Sequence, residues 1–138
     1  MIKPCTCGHK KPFDSCCGRF LSAEQLAKTP EQLMRSRYSA YALGGYGDYL
    51  LATWFSATRG DLSAESLSQK TVDWVQLDVL SSEQSGDKAT VEFNALYREP
   101  DHSELQTMHE VSVFQRTAGR WFYVGREVGK EVSSKPSL

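Results

Sequence analysis

The sequence has 138 residues, of which 40% are hydrophobic and 24% are charged, and its formal net charge is −1. This length suits one compact domain with a core of its own. The near-neutral charge gives no general attraction to nucleic acid, and no apolar run approaches the ~20 residues of a membrane-spanning helix.

The N-terminal segment contains every cysteine of the chain: Cys5, Cys7, Cys16 and Cys17. Four sulfur ligands supplied by one short segment are what a tetrahedral structural zinc ion requires. Cysteine fills all four positions and leaves none for water. We therefore expect Zn²⁺ with a structural and not a catalytic role.

Two other interpretations of the cysteines remain open. Disulfides need an oxidising compartment, and no apolar signal segment precedes Cys5, so we expect a cytoplasmic protein with reduced thiols. A reactive dithiol at the adjacent Cys16 and Cys17 would account for only half of the set. His9 could replace a cysteine as a ligand, but four cysteines already complete a site, so we expect an exposed loop histidine.

The residues around the cysteines are basic. They are Lys3, Lys10, Lys11 and Arg19. Four thiolates on one divalent ion leave a net charge of about −2, which these side chains would offset. Arg19 can equally be ordinary surface charge.

The segment CTCGHKKPFDSCCG resembles the SEC-C motif, whose usual form is C-P-C-G-S-G-K-K-[YF]-x-x-C-[CH]-G. The resemblance implies that the four cysteines are the metal ligands and that Phe13 is a small hydrophobic plug. Thr6 stands where proline is usual, His9 and Lys10 replace Ser-Gly, and Pro12 replaces a lysine.

Helical signals follow this segment. Thr29 and Gln32 form a capping box around Pro30, and glycines 44 and 45 end the helix. One apolar stripe runs along it, made of Leu33, Met34, Tyr38, Tyr41 and Ala42. A second helix is expected over 49–55 with Asp48 as its N-cap, and a short helical turn over 64–69.

After Lys70 the spacing changes to alternation, which predicts strands at about 72–81, 89–99, 104–116 and 120–126. Short turns between them favour an antiparallel meander. One face of the second strand carries Val91, Phe93, Ala95 and Tyr97. The third and fourth strands carry apolar groups on both faces, with Val111, Val113 and Phe122 opposite Met108, Phe114 and Trp121. We therefore expect a sheet curved around the helices, with its far side covered by the cysteine segment or by a second copy of the chain.

Helices followed by a bent antiparallel sheet resemble the nuclear-transport-factor-2-like fold. Three segments are moreover similar to the YchJ family of bacterial proteins, which joins a SEC-C motif to this domain. They are LMRSRYSAYALGGYGDYLLATW, ATVEFNALY and HEVSVFQRTAGRWFYVGRE. The expected fold class is α+β, with a zinc knuckle at 1–25, a cone-shaped domain at 26–130 and a disordered tail at 131–138.

Polar residues lie among the aromatic residues of this domain and are candidates for lining a pocket. They are Arg35, Arg37, Trp54, Tyr97, Glu110, Ser112 and Arg116. Glu110, Ser112 and Arg116 share one face of the third strand, and they either bind a small polar ligand or form a buried ion pair with an arginine of the first helix. No spacing assembles a nucleophile with an orienting base, so we assign no catalytic residue.

Two functional hypotheses follow. In the first, the protein is an interaction module whose knuckle presents Lys3, Lys10, Lys11 and Phe13 to a protein or ribosomal surface, with nucleic acid contacted only through a ribosome. In the second, the cone cavity binds a small molecule or catalyses a reaction, as fold analogy allows. We favour the first, and expect zinc loss to destabilise mainly the first ~25 residues, because the main domain has its own core.

Overall fold

The computed structural model of the protein describes residues 4–22 and 25–127. Lys3 and the predicted tail at 131–138 lie outside the described residues. A 3-10 turn at Phe13–Ser15 comes first. The helices are α1 (Gly18–Leu21), α2 (Pro30–Leu43), α3 (Gly47–Ala52), α4 (Ser56–Arg59) and α5 (Ala64–Leu67), and the strands are β1 (Asp73–Ser85), β2 (Lys88–Arg98), β3 (Gln106–Thr117) and β4 (Arg120–Arg126).

The four strands form one antiparallel sheet in the order β1-β2-β3-β4, so the predicted meander and the α+β class are confirmed. The hairpin turns use residues with positive φ: Gly86 (61°) after β1, and Ala118 (52°) and Gly119 (79°) after β3. Such backbone angles match the twist of the flanking strands. β1 continues to Ser85, beyond the predicted end at 81.

The sheet is curved, and its pairing register shows where it bends. In β1, shifts occur between Trp74 and Gln76 and between Val79 and Ser81. In β4, Val124 is the extra residue between the partners of Val113 and Phe114. An extra residue on one strand bends that strand and increases its twist. The inner face of the sheet can therefore wrap around α2.

The buried core lies between α2 and the inner face of the sheet. Alternate residues of β2 on this face are fully buried, as predicted: Val91, Phe93, Ala95 and Tyr97. Met108, Phe114 and Trp121 are buried on the same side. The opposite face carries the half-buried Val111, Val113 and Phe122.

The cysteine segment packs on the inner side of the sheet. All four cysteines belong to the same apolar cluster as Phe93 and Tyr97. The expectation that the knuckle covers the far side is therefore wrong. Coverage of that side by a second copy of the chain remains a prediction.

Helix α2 begins and ends at the predicted residues. The Thr29 hydroxyl accepts a hydrogen bond from the Gln32 amide (3.1 Å), and Gly44 has a φ of 75° just past the last turn. Gln32 Oε1 in turn accepts from the Lys28 amide (2.8 Å). These bonds satisfy amides at the helix start that have no partner within the helix.

The predicted apolar stripe of α2 is only part of what this helix buries. Ser36, Arg37 and Ser39 are also buried, with at most 1% of their surface exposed. The physical reason is that α2 packs on the sheet on one side and on the cysteine segment and α3 on others. A helix covered on several sides cannot keep its polar residues in water.

Helix α3 starts at Gly47, so Asp48 lies in its first turn and is not its N-cap, which is Tyr46. A carboxylate in a first turn still interacts favourably with the helix dipole. The helix ends at Ala52, three residues before the predicted end. Among the described residues, no helix is both long enough and apolar enough to cross a membrane.

Candidate functional site

The four cysteine sulfurs lie together in a buried cluster. All four Sγ atoms are within 4.8 Å of one another, and the Sγ atoms of Cys7 and Cys16 are 3.7 Å apart. Tetrahedral zinc–sulfur bonds of ~2.3 Å place neighbouring sulfurs ~3.8 Å apart. The cluster therefore has the size and chemistry of a site for a thiolate-bound metal ion.

A short hairpin positions the first two cysteines. The Cys5 amide donates to the Lys11 carbonyl (2.9 Å), and residues 4 and 12 form an isolated antiparallel bridge. The Gly8 amide closes a turn onto the Cys5 carbonyl (3.0 Å), and Gly8 has a φ of 99°. Glycine adopts this angle without the steric cost that other residues have.

The 3-10 turn and α1 return the chain to the other side of the cluster. The Cys16 amide donates to the Phe13 carbonyl (3.0 Å), and Cys17 precedes α1. Phe13 is half-buried and packs against the core, which fits the plug that the motif implies. A side chain at Gly18 would lie 2.8 Å from the Phe13 carbonyl oxygen, so the turn requires glycine there.

Hydrogen bonds among the thiols separate their pKa values. Contacts from Cys17 and Cys7 lower the pKa of Cys5 far below its usual range, whereas burial raises the pKa of Cys16 to about 12. The bond to Cys5 also raises the pKa of Cys17. These contacts thus favour the thiolate of Cys5 and the protonated forms of Cys16 and Cys17. A metal ion that binds all four sulfurs must release protons.

Two arginines hold the backbone of the cysteines. Arg19 Nε donates to the Cys16 carbonyl (3.0 Å), and Arg35 Nη1 donates to the Cys7 carbonyl (2.9 Å). Arg35 also pairs with Glu31 (2.9 Å). Arg19, which the sequence left between charge compensation and plain surface charge, therefore contacts the cluster. Lys10 and Lys11 are exposed on the loop.

A second polar cluster lies in the cone, and it contains some of the predicted pocket residues. Arg37 Nη1 donates to the Leu50 carbonyl (2.8 Å) and to Thr53 Oγ1 (2.7 Å). Its guanidinium lies 4.5 Å from the ring centre of Tyr123 and 5.0 Å from that of Trp54. These contacts provide the hydrogen-bond acceptors and the ring faces that a buried guanidinium needs.

Glu110 completes this cluster from β3. It is 3% exposed and accepts hydrogen bonds from Ser112 Oγ and from the Tyr123 hydroxyl (3.1 Å). Burial lowers the pKa of Arg37, while the nearby Tyr41, Tyr123, Tyr49 and Glu110 act to raise it. Glu110 is therefore one of four groups that favour the protonated form of Arg37 of α2. The ion pair considered for this row stays a prediction.

Three other predicted pocket residues lie elsewhere. Arg35 turns to the cysteine cluster. Tyr97 packs its ring against Trp74, with ring centres 5.4 Å apart. Arg116 lies at the end of β3 and pairs with Asp87 (2.9 Å), where 35% and 69% of the two side chains are exposed. The set is split because Tyr97 and Arg116 lie at opposite ends of the sheet, whereas Arg35 lies on the side of α2 that contacts the cysteine segment.

The described interior offers little free volume near these residues. Beside Arg37, Ser112 and Tyr123 there is no room for a water molecule. A cavity lined by Leu33, Tyr49 and other residues has a volume of about 20 Å³. That is room for about one water, whereas ligand pockets typically enclose ~300–1,000 Å³.

Sequence reasoning missed two functional contributors. Tyr123 binds Glu110, and its alternation with Trp121 along β4 was a signal for an inward position. Ser39 is fully buried next to the cysteine cluster, where its hydroxyl acts to lower the pKa of Cys17. Ser39 does not belong to the predicted apolar stripe of α2, and no local pattern indicated that the N-terminal segment would pack there.

Comparison with known proteins identifies the family. The model of the middle, nuclear-transport-factor-2-like domain of YchJ matches residues 29–125. The chain belongs to the YchJ family. It is 38% identical over 133 residues to a UPF0225 protein of Sodalis glossinidius, covering 93% of this chain and 86% of that protein. It is 42% identical over 124 residues to a UPF0225 protein of Chromobacterium violaceum, covering 87% and 89%.

Solved structures connect the YchJ-type chain to the SEC-C motif. A SEC-C motif containing protein from Rhodopseudomonas palustris superposes with a TM-score of 0.82 at 36% identity, over 92% of this chain and 99% of that one. A sec-c motif containing protein from Psychrobacter arcticus gives 0.74 at 28% identity, over 95% and 80%. The recognised architecture, a SEC-C motif joined to a nuclear-transport-factor-2-like domain, is thereby confirmed.

Proposed function

We propose that the protein is a zinc-stabilised interaction module of the cytoplasm. The observation that carries this proposal is the buried cluster of four sulfurs within 4.8 Å, packed against the cone. Cys5, Cys7, Cys16 and Cys17 hold the ion, whose role is to fix the fold of the loop. A reducing compartment keeps the thiols available for metal.

The surface that meets the partner is the loop between the two cysteine pairs. Lys10 and Lys11 project from it, while Phe13 packs inward and supports its shape. Two ammonium groups on a fixed loop favour an acidic partner surface, because complementary charge speeds encounter and sets orientation. Lys3 is assigned to the same surface from its position in the sequence.

The metal part of the proposal is tested by metal analysis and thiol counting on untagged protein purified without added metal. We expect one zinc per chain and the release of four free thiols when a chelator removes it. Absence of metal together with oxidised cysteines would contradict this part. Cobalt substitution provides a second readout, because thiolate coordination produces sulfur-to-metal charge-transfer absorption.

The partner part is tested by charge reversal. We expect Lys10→Glu with Lys11→Glu to abolish capture of a partner that the wild-type protein retains from cell extract, with zinc content unchanged. Lys28→Glu with Lys88→Glu is the matched control, because both residues are exposed and the change in net charge is the same. Equal loss of capture in both variants would show a general charge effect and contradict the assigned surface.

A further inference from the structure

Helix α2 presents two polar side chains to the cysteine cluster, one turn apart. Arg35 Nη1 donates to the Cys7 carbonyl (2.9 Å), and Ser39 lies against Cys17. Residues four positions apart share one face of a helix. The cone thus contacts one cysteine from each of the two pairs.

The Ser39 hydroxyl needs a hydrogen-bond acceptor, and a metal-bound cysteine would provide one. It is fully buried, and among the described residues it has no hydrogen-bond partner of good geometry. A buried hydroxyl without a partner is destabilising. A metal-bound sulfur carries negative charge and accepts hydrogen bonds better than a neutral thiol does. With Cys17 in that state, the serine has its partner.

The cluster also belongs to the core of the cone. Its four cysteines pack in one apolar cluster with Leu33, Met34 and Tyr38 of α2 and with Leu77 of β1. Gly8 lies beside β1, since a Cβ at this position would be in ordinary van der Waals contact with the Leu77 carbonyl oxygen, at 3.7 Å. The cysteine segment and the cone therefore share one core, although the sequence suggested separate ones.

We propose that Arg35 and Ser39 position Cys7 and Cys17 for the metal, so that metal binding and the stability of the cone are one linked equilibrium. This inference rests on the metal site proposed above. A ligand that binds only the folded state stabilises it by RT ln(1 + [L]/Kd), where [L] is the concentration of free ligand. Zinc then stabilises α2 and β1 as well as the knuckle.

The test compares zinc affinity in Ser39→Ala, Arg35→Gln and Ser36→Ala, measured by competition with a chromophoric chelator. We expect the first two changes to weaken zinc binding by about 10–100-fold. This is the usual effect of removing a residue that hydrogen-bonds to a metal ligand without binding the metal itself. Ser36→Ala is the control: Ser36 is equally buried on α2, but its hydroxyl bonds to the Leu33 carbonyl and to Tyr49. It should retain wild-type affinity.

Hydrogen exchange tests the linkage separately in the wild-type protein. We expect zinc to slow amide exchange in residues 30–43 and around Leu77, as well as in residues 4–22. Protection confined to residues 4–22 would overturn the linkage.

Affinity outcomes separate this inference from the proposed function. Zinc binding by the wild type with unchanged affinity in Ser39→Ala and Arg35→Gln would refute the positioning role and leave the metal site standing. A wild-type protein without affinity for zinc would remove both. If Ser39→Ala does not fold, the zinc affinity of Arg35→Gln tests the positioning role alone. The Arg35 side chain is 15% exposed, so we expect its replacement to disturb the core less than a change at Ser39.

Discussion

Replacing Arg37 by methionine should destabilise the protein more than any other exchange of an arginine. The guanidinium is 1% exposed and donates to the Leu50 carbonyl and to Thr53 Oγ1. Methionine fills much of the space but donates no hydrogen bond. The change would leave the Leu50 carbonyl without this donor and Glu110 without the positive charge that attracts it.

The magnitude follows from burial. Leaving a buried acceptor without its donor typically costs about 1–3 kcal/mol, and Arg37 donates to two acceptors. Glu110 loses a nearby positive charge but keeps its bonds to Ser112 and Tyr123, so we expect a total of ~3 kcal/mol. A loss of ~3 kcal/mol is a large part of the ~5–15 kcal/mol by which a domain is stable.

Urea denaturation of the zinc-loaded protein measures this loss as a change in the free energy of unfolding. Arg116→Met is the matched control, since that arginine pairs with Asp87 at the surface and its removal should cost at most ~1 kcal/mol. In Arg37→Met with Glu110→Gln both charges are gone, so we expect the double variant to lose less stability than the sum of the single variants. The reasoning fails if Arg37→Met costs no more than Arg116→Met, or if the two single effects simply add.

Three further predictions concern the cysteine cluster. Because burial raises the pKa of Cys16 to about 12, zinc must displace its proton. Zinc affinity should therefore rise with pH, and protons should be released on binding. An affinity that does not change between mildly acidic and neutral buffers would contradict this. Gly18→Ala should destabilise the knuckle and weaken zinc binding, because the new Cβ would lie 2.8 Å from the Phe13 carbonyl oxygen and 2.9 Å from its ring. Thermal unfolding and zinc titration measure the two effects, and unchanged values would argue against Phe13 as the hydrophobic plug. His9→Ala should keep one zinc per chain by metal analysis, because four cysteines complete the site. His9 Nδ1 is 3.5 Å from Cys16 Sγ, so a fall in zinc content would indicate that His9 is a ligand.

Local patterns in the sequence determined the elements of this protein. Thr29, Pro30 and Gly44 predicted the bounds of α2, because caps depend on residues within a few positions of the helix end. Alternation predicted which residues of β2 face inward, because a strand has a period of two. The cysteine cluster was also predictable, since all four of its thiols come from one short segment.

Tertiary packing decided what lies around those elements. Ser39 and Arg35 contact the cysteine cluster only because residues 4–22 fold back onto α2 and β1. Arg37, Glu110 and Tyr123 meet because the curved sheet brings β3 and β4 over α2. Contacts between residues so far apart in the chain depend on how whole surfaces pack together. The sequence offered a pairing of the β3 row with an arginine of α2 only as one of two alternatives, and its local patterns did not indicate the contacts of α2 with the cysteine cluster.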